Sequence, residues 1–297
     1  MSEPFFSIII PTYNRAAFIK KTIESALNQK YDSFEVIVVD DGSTDETRDV
    51  LEELSDHRLK YVSQENKERG AARNRGVQAA KGRYVYFLDS DDLLFPNHLR
   101  EAFKVLSSEE VDFYFQPYCL LDSGSGKRKS INLPTGDPGL YLLRHGNFLS
   151  CHGVFLKREV ALKHPFYQDR AMAGSEDYEL WLRLAARYEL HLGKTVTSAL
   201  VDHEERSVFN YDPQKLIDRK TLFVQRVMAD EKVREKWESS FSYLQSGAYS
   251  YIALHLPLSR RLSRLRFQFF WMAVRSRFAF LFTKRSLVII RQLLIGR

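Results

Sequence analysis

Four short apolar runs recur at near-regular spacing in the N-terminal third of the chain, and this spacing limits the possible folds more than any other feature. The runs are Phe6 to Ile10, Val36 to Val39, Leu59 to Val62 and Tyr84 to Leu88. Each is typical of a buried strand, and the segments between them, 16–29, 45–54 and 71–80, repeat apolar residues at helical spacing. Strands that alternate with helices predict an α/β fold with a mainly parallel, doubly wound sheet.

The residues that follow the first, second and fourth runs are polar. They form the blocks Pro11-Thr12-Tyr13, Asp40-Asp41 and Asp89-Ser90-Asp91-Asp92. The carboxyl ends of parallel strands meet at one edge of a sheet, where ligands bind, so we expect these blocks to lie together. An aromatic ring can stack on a base, and carboxylates can accept from a base N–H or hold a metal beside a diphosphate. The blocks therefore predict a nucleotide site.

The acidic block at 89–92 also has a simpler interpretation, an exposed turn before a helix. However, three carboxylates within four residues repel one another unless a cation joins them, and oxygen ligands favour Mg²⁺ or Mn²⁺ over zinc. The sequence has no CxxC zinc pattern, GxxxxGK[ST] phosphate loop or GxGxxG turn. We therefore expect a metal at Asp89-Ser90-Asp91 to bind the diphosphate. For residues 40–45 the alternative is a helix cap, because Ser43 and Glu46 form a capping-box pattern.

Taken together, the blocks resemble those of the family 2 glycosyltransferases, whose GT-A fold is a Rossmann-like nucleotide-sugar-binding domain with the same order of strands. The resemblance continues through Gln64-Glu65-Asn66, Gly70 to Gly76 and Ser175 to Arg183, and it covers roughly residues 5–205. Glu68 departs from the family pattern, in which many members have Gly.

The resemblance implies a donor site along the sheet edge. Pro11, Tyr13 and Asp41 would hold the base and the ribose. Arg73 would approach the nucleotide, and Asp89 would bind the ribose as a member of the metal site. The implied donor is a nucleotide-diphosphate sugar, with a UDP-sugar as the default.

The resemblance also implies Asp91 as the main metal ligand, with His203 close to the metal or diphosphate, and Asp177 as the catalytic base. Glu176 would orient Asp177 or touch the acceptor. A dipole at a helix start keeps a carboxylate ionised but lowers its basicity, and we expect this effect at Asp177. The simpler alternatives are favourable charge in a first helical turn for Glu176-Asp177 and a structural role for the lone His203.

The function implied is that of an inverting, metal-dependent glycosyltransferase, an enzyme that moves a sugar to an acceptor hydroxyl. The acceptor would be a glycan or a lipid-linked molecule in cell-surface polysaccharide or glycolipid synthesis. Two alternatives remain: a nucleotidyltransferase acting on sugar phosphates, and an inactive membrane-docking scaffold. The first would usually have a Gly-rich, basic N-terminal loop, which Pro11 to Arg15 does not form.

The C-terminal part of the chain has a different composition. Residues 239–297 contain ten Lys and Arg but no Asp or Glu, whereas the preceding residues carry 34 basic and 38 acidic side chains. We predict a GT-A catalytic domain over 1–210 and a helical, basic and aromatic region over 211–297. Aromatic and aliphatic residues recur at helical spacing in this region, namely Phe267, Phe270, Trp271, Val274, Phe278 and Leu281. This pattern favours an amphipathic surface for anionic membrane, with the core of a helical cap as the alternative. Nucleic acid is a third option and the least favoured, because no binding module is recognisable, and we predict no nucleic-acid partner.

The remaining sequence features concern the compartment. Cys119 and Cys151 are too few and too separated for a disulfide framework, which indicates a reducing compartment. The N-terminus does not have the form of a secretory signal, and no apolar run is long enough to span a membrane. We expect a cytoplasmic protein, peripheral at the inner face of the cell membrane.

Overall fold

The structure is a computed structural model that describes residues 3–203 and 212–295, without the side chain of Ile295. The chain divides into two compact units. The first contains the described residues up to 133, together with 148–180 and 187–203. The second contains 134–147, 181–186 and 212–295. The predicted boundary at 210/211 stays a prediction, and the sequence did not indicate that the two internal segments group with the C-terminal helices.

Strands occur in the first unit. In the described residues they are β1 (Phe6–Thr12), β2 (Phe34–Asp40), β3 (Leu59–Ser63), β4 (Tyr84–Phe87), β5 (Leu93–Leu94), β6 (Phe113–Phe115), β7 (Tyr118–Asp122), β8 (Arg128–Ser130), β9 (Val154–Lys157), β10 (Leu190–Leu192) and β11 (Ser198–Asp202).

Helices occur in both units. The first seven are α1 (Ala16–Leu27), α2 (Thr47–Glu52), α3 (Glu68–Ala79), α4 (His98–Leu106), α5 (Pro138–His145), α6 (Arg158–Lys163) and α7 (Glu176–Ala185). The C-terminal ones are α8 (Pro213–Ala229), α9 (Glu231–Trp237), α10 (Phe241–His255), α11 (Arg260–Ser276) and α12 (Lys284–Ile295).

The main sheet of the first unit contains seven strands among the described residues, in the order β10-β6-β9-β4-β1-β2-β3. The pairings β1–β2, β1–β4, β2–β3 and β6–β10 are parallel, whereas β9 runs antiparallel to both of its neighbours, β4 and β6. The prediction of a mainly parallel α/β sheet followed by a helical region is confirmed. The antiparallel strand was not predicted.

The apolar composition of the central strands follows from their position. Every residue of β1 and β2 is buried. On one face, Ile8 and Val36 join a core with α1 residues such as Ile23, and α3 contacts the same two strands. A parallel strand covered on both faces has no solvent side, so its sequence is continuously apolar rather than alternating.

Two glycines allow α3 to lie very close to its surroundings. A Cβ atom on Gly76 would overlap the side chain of Ile9 in β1. A Cβ atom on Gly70 would lie 2.7 Å from the backbone oxygen of Tyr167. Neither position has room for a Cβ atom, so Gly76 sets how closely α3 approaches β1, and Gly70 sets how closely it approaches Tyr167.

A smaller sheet in the first unit has the order β5-β11-β7-β8. The mostly apolar segment 111–118 has the pattern of a single strand, but the chain changes sheets within it. β6 ends at Phe115 in the main sheet, and β7 begins at Tyr118 in the smaller one. Pro117 separates them, and a proline has no N–H to donate to a ladder of strands.

In the second unit, α10 contacts α5, α8, α11 and α12. α8 begins with Pro213 in its first turn, behind Asp212, whose Oδ1 accepts from the N–H groups of Gln214 and Lys215 at 2.8 and 3.2 Å. The helical pattern predicted for this region is therefore present. No described helix has the length and apolar character needed to cross a membrane.

The predicted aromatic stripe of the C-terminal region divides between core and surface. Phe270 and Val274 are buried in a cluster with Ile252, Ala253 and Phe280. The other aromatic members of the stripe are exposed, namely Phe267, Trp271 and Phe278. The stripe therefore contributes both to the core of the C-terminal helices and to their surface, and membrane binding stays a prediction.

Candidate active site

The first polar block lies where β1 ends. Pro11 is buried within the strand, whereas Tyr13, just beyond it, keeps 45% of its surface exposed. Asn14 adopts a left-handed backbone conformation with φ of 50°, and its N–H donates to Ser43 Oγ at 2.9 Å. This turn connects the ends of β1 and β2, which leaves the Tyr13 ring open to a ligand.

The second block lies where β2 ends, and its two aspartates have different partners. Asp40 Oδ1 accepts from the backbone N–H and the hydroxyl of Ser43 at 3.0 and 2.6 Å. The capping-box alternative is therefore wrong, because α2 begins only at Thr47, whose N–H donates to Asp45 Oδ1 at 3.1 Å. The block is a turn held by its own side chains, and Ser43 belongs to that turn.

Asp41 is buried and anchors the loop between β3 and α3. Its Oδ1 accepts from Gln64 Nε2 at 2.7 Å and from the Lys67 backbone N–H at 2.8 Å. The structure thus brings Gln64, from the Gln64-Glu65-Asn66 segment of the family resemblance, to the same edge of the sheet as Asp41.

Glu68, the departure from the family pattern, sits at the end of this loop with φ of 69°. That conformation is one that glycine adopts without strain and other residues rarely adopt. Arg170 donates to Glu68 Oε1 at 3.2 Å and to the backbone oxygen and Oδ1 of Asn66, both at 2.6 Å. Glu68 therefore takes a glycine-type conformation, and Arg170 holds the loop from outside.

Arg73 is the centre of the site. Its guanidinium is almost completely buried and donates from Nη1 to Glu176 Oε1 at 2.9 Å and from Nη2 to Asp89 Oδ1 at 2.7 Å. The ring of Phe166 lies below it, 5.3 Å from the guanidinium carbon. One cation thus joins the acidic block after β4 to the start of α7, which is 103 residues from Arg73 in the sequence.

The charge of Arg73 determines the ionisation of its two partners. Burial acts to raise the pKa of Glu176, but Arg73, Arg69 and hydrogen bonds from backbone N–H groups outweigh it and hold that pKa below its usual value. For Asp89, burial is likewise outweighed by Arg73 and Arg69, and the pKa is lowered. Both carboxylates are therefore negatively charged at neutral pH.

Asp177 behaves in the opposite way. Burial raises its pKa, and the negative charge of Glu176 raises it further. We expected the dipole of α7 to lower the basicity of this carboxylate, and that expectation is wrong because burial and a like charge dominate. A carboxylate with a raised pKa is a better proton acceptor, as a general base requires.

The three carboxylates of the acidic block are separated by three different partners. Asp89 meets Arg73, as described above, and Asp91 Oδ2 lies 3.2 Å from His203 Nε2. Asp92 is buried, with Oδ2 at 3.0 Å from His152 Nδ1 and Oδ1 accepting from the Val201 backbone N–H at 2.9 Å. Protein side chains, Arg73 above all, therefore offset part of the repulsion that we expected a bound cation to relieve.

The residues brought together at this edge of the sheet agree with the family to which comparison with known proteins assigns the chain. Residues 7–164 match the family described as Glycosyl transferase family 2. The chain belongs to this family. The resemblance seen in the sequence is thereby confirmed.

Two relatives illustrate the extent of the match to this glycosyltransferase family. EpsH of Bacillus subtilis is 36% identical over 129 residues, which are 43% of this chain and 37% of that protein. The second is the UDP-Glc:alpha-D-GlcNAc-diphosphoundecaprenol beta-1,3-glucosyltransferase WfgD of Escherichia coli. It is 34% identical over 185 residues, which are 62% of this chain and 71% of WfgD. The chain thus spans well under half of EpsH but most of WfgD.

Solved structures show the same fold. TarS of S. aureus (residues 1–349, in complex with UDP-GlcNAc) has a TM-score of 0.63 at 18% identity, over 98% of this chain and 90% of that one. The mannosyltransferase PcManGT of Pyrobaculum calidifontis, in complex with GDP-Man and Mn²⁺, has a TM-score of 0.57 at 20% identity, over 99% and 86%. These likenesses support the GT-A fold for this member of family 2.

Within this family 2 chain, Asp91 and His203 are the residues that fit a divalent metal. The His203 ring is stacked on Phe18, 4.5 Å between centroids, and its Nδ1 is buried without a hydrogen-bond partner. No group of three or more His, Cys, Asp and Glu among residues 3–203 and 212–295 is arranged to hold a metal. Asp91 and His203 thus offer two ligands, and other ligands would have to come from the donor diphosphate or water.

Two residues of this candidate site, His152 and Arg15, were not predicted from the sequence. His152 precedes β9, and because β9 is antiparallel its first residue lies at the edge where the parallel strands end. Arg15 follows the first polar block, and its Nε lies 3.8 Å from Asp91 Oδ2. The signal for Arg15 was present in the sequence, since it adjoins the block, whereas His152 required knowledge of the strand direction.

Proposed function

We propose that this chain is an inverting glycosyltransferase that moves a sugar from a nucleotide-diphosphate sugar to an acceptor hydroxyl during polysaccharide or glycolipid synthesis. The observation that carries the proposal is the Arg73 centre, which joins Asp89 to Glu176 beside Asp177. It sets the acidic block on the donor side next to a carboxylate whose pKa is raised.

On the donor side, the open Tyr13 ring stacks on the base, and buried Asp41 accepts from a base N–H. Asp89 binds the ribose while it keeps its contact with Arg73. Asp91 and His203 hold the divalent metal, which when bound neutralises charge on the leaving diphosphate. UDP is the proposed nucleotide, and Mn²⁺ or Mg²⁺ the proposed metal.

On the acceptor side, Asp177 removes the proton of the acceptor hydroxyl while the oxygen of that hydroxyl attacks the anomeric carbon. The new glycosidic bond forms while the bond from that carbon to the diphosphate oxygen breaks, and the nucleoside diphosphate leaves with both electrons. One displacement inverts the anomeric configuration. Glu176 remains ionised against Arg73 and keeps the pKa of Asp177 high.

The relatives support these choices by what their names state. WfgD uses UDP-Glc and an acceptor on diphosphoundecaprenol, TarS binds UDP-GlcNAc, and PcManGT binds GDP-Man with Mn²⁺. A UDP-sugar, a divalent metal and a glycan or lipid-linked acceptor are therefore the substrates and cofactor that we propose for this chain.

The experiment is a thermal-shift screen of UDP- and GDP-sugars with and without Mn²⁺, followed by an assay for release of the nucleoside diphosphate. A ligand that binds the native state raises the melting temperature. We expect one donor to raise the melting temperature strongly, and only when metal is present. Asp91→Asn should remove that dependence on metal. Asp202→Asn is the matched control, because Asp202 is exposed at the end of β11 beside His203.

Two outcomes would contradict the proposal. Release of pyrophosphate from a nucleoside triphosphate and a sugar phosphate would assign the chain to the nucleotidyltransferases. Absence of any shift with every nucleotide sugar, in a protein that melts cooperatively, would favour an inactive scaffold.

A further inference from the structure

The exposed apolar side chains of this protein are concentrated near its C-terminus. Among the described residues, nine of the thirteen exposed large hydrophobic side chains lie between 258 and 294. Phe278 and Phe282, with 69% and 81% of their surface accessible, are the most exposed. Such a concentration of exposed apolar side chains in one part of the chain is typical of an interaction site.

The outward face of α11 alternates basic and aromatic residues. Its exposed residues recur at intervals of three and four, which places them on one face of the helix. They include Arg260, Arg264, Phe267, Trp271 and Arg275, and Arg261, Gln268 and Met272 are exposed beside them. The opposite face is buried and includes Phe269, Phe270 and Ala273. The exposed aromatic rings are therefore not part of the core.

α12 repeats this arrangement. Lys284, Leu287, Val288, Arg291 and Leu294 are exposed, whereas Ser286 and Ile289 are buried. The turn between α11 and α12 contains Phe278 and Phe282, whose rings lie 6.0 Å apart. We call the exposed residues of α11, α12 and this turn the aromatic-basic face.

The charge of this segment identifies its partner. Residues 239–297 contain ten Lys and Arg but no Asp or Glu, and only one of these ten, Arg266, is buried among the described residues. A lipid bilayer with anionic headgroups offers both of the complements required, negative charge for the arginines and an apolar layer for the rings. A nucleic acid would satisfy the arginines but not the exposed phenylalanines and leucines.

We propose that the aromatic-basic face docks on an anionic lipid surface, with the aromatic side chains in the interface and the basic side chains on the headgroups. The helices lie on the bilayer rather than cross it. This surface belongs to the second unit and contains none of the residues assigned to sugar transfer, so the proposal stands apart from the proposed function.

The protein carries its own reporter for this test. Of its three tryptophans, Trp181 and Trp237 are buried, whereas Trp271 on the aromatic-basic face is 41% exposed. We expect Trp271 emission to shift to shorter wavelength when the full chain is mixed with vesicles of phosphatidylcholine and phosphatidylglycerol. Vesicles of phosphatidylcholine alone should produce a much smaller shift, and in flotation the protein should rise only with the anionic vesicles.

Paired variants separate the apolar and the basic contributions. Phe267→Ser with Trp271→Ser should weaken vesicle binding at least tenfold, and Arg264→Gln with Arg275→Gln by roughly twenty-fold at low salt, about fivefold for each arginine. Leu162→Ser and Arg48→Gln are the matched controls, because Leu162 is 44% exposed on α6 and Arg48 is exposed on α2. These controls should bind vesicles like the parent, and all variants should release nucleoside diphosphate from soluble donor at the parental rate.

Several results would overturn the proposal. One is flotation that is equal with neutral and anionic vesicles, and another is flotation without any change in Trp271 emission. A third is sedimentation showing a dimer that Phe267→Ser with Trp271→Ser dissociates, because the face would then pair with a second copy. Binding to an oligonucleotide but not to vesicles would assign the face to nucleic acid.

Discussion

Two buried arginines of this protein, one in each unit, have different kinds of hydrogen-bond partner. In the first unit, buried Arg73 meets two carboxylates, Asp89 and Glu176. In the second, buried Arg266 donates to the backbone oxygens of Ala253, Leu256 and Pro257, at 3.1 Å to the first and 3.0 Å to the last.

The difference indicates that the charge of Arg73 serves the chemistry of the candidate site, whereas the charge of Arg266 serves structure. An ion pair buried at the sheet edge fixes the ionisation of neighbouring groups, including Asp177. An arginine that donates to the last carbonyl groups of α10 stabilises a helix end through neutral acceptors. The following predictions test that separation, beginning with the largest effect.

Asp177→Asn should lower kcat for sugar transfer by about 10²–10⁴-fold, the usual contribution of a general base. The affinity for the nucleotide should change little, because Asp177 acts on the acceptor. Folding stability above neutral pH should be unchanged or higher. The direction of this change in folding stability follows from the raised pKa of Asp177. A carboxylate whose pKa is higher in the folded state opposes folding once it is ionised, and the substitution removes that effect. Steady-state kinetics, nucleotide titration and thermal melting measure the three quantities.

The pH profile of the parent enzyme sharpens this prediction. Transfer should increase with pH as Asp177 loses its proton, with the acidic limb of kcat/KM above the usual range for aspartate, because burial and Glu176 raise that pKa. Equal loss of nucleotide affinity and of kcat in Asp177→Asn would show that this residue binds the donor instead.

Arg73→Met should destabilise the protein by about 3–5 kcal/mol, because it leaves Glu176 ionised and buried without its main cation. Combining it with Glu176→Gln should recover part of that loss, since a neutral amide costs less to bury than a charge. Urea denaturation measures both variants. A double variant no more stable than Arg73→Met alone would show that charge compensation is not what holds this centre.

Arg266→Met should destabilise the protein by about 2–3 kcal/mol, because three backbone oxygens near the end of α10 lose their donor. Arg264→Met, on the exposed face of the same helix, should change stability by no more than about 0.5 kcal/mol. Neither substitution should alter kcat for transfer to a soluble acceptor. A large loss of kcat in Arg266→Met, in protein that remains folded, would remove the distinction between the two units.

Glu68→Ala should be less stable than Glu68→Gly by about 1 kcal/mol, because the φ of 69° favours glycine and Ala keeps the strain without the contact to Arg170. Glu68→Gly should lie close to the parent, since an exposed ion pair contributes little. Denaturant titration of the three proteins tests this order. If Ala proved the more stable substitution, the loop would have changed its backbone conformation.

The sequence predicted the local part of this structure well. Strands such as β1 and β2 are continuously apolar because both faces are buried, and that pattern is visible without a structure. The polar blocks at their ends were recognisable for the same reason, since each lies directly after its strand.

Contacts between distant segments could not be predicted. The pairing of Arg73 with Glu176 depends on how α7 returns to the sheet, and the pairing of Asp92 with His152 depends on the reversed direction of β9. The change of sheet at Pro117 is likewise decided by which strands are available to pair. Apolar periodicity specifies which residues are buried but not which partner they meet.

The absence of a side chain at Gly76 helps to position the charge of Arg73. It lies one turn after Arg73 on α3, pressed against Ile9 of β1, so any larger residue would tilt the helix and carry the guanidinium away from both carboxylates together. A variant at this position would look like a catalytic defect in an assay, although the glycine touches neither substrate nor charge. The position of the Arg73 guanidinium thus depends on how closely the α3 backbone approaches β1 at Gly76, three residues further along the helix.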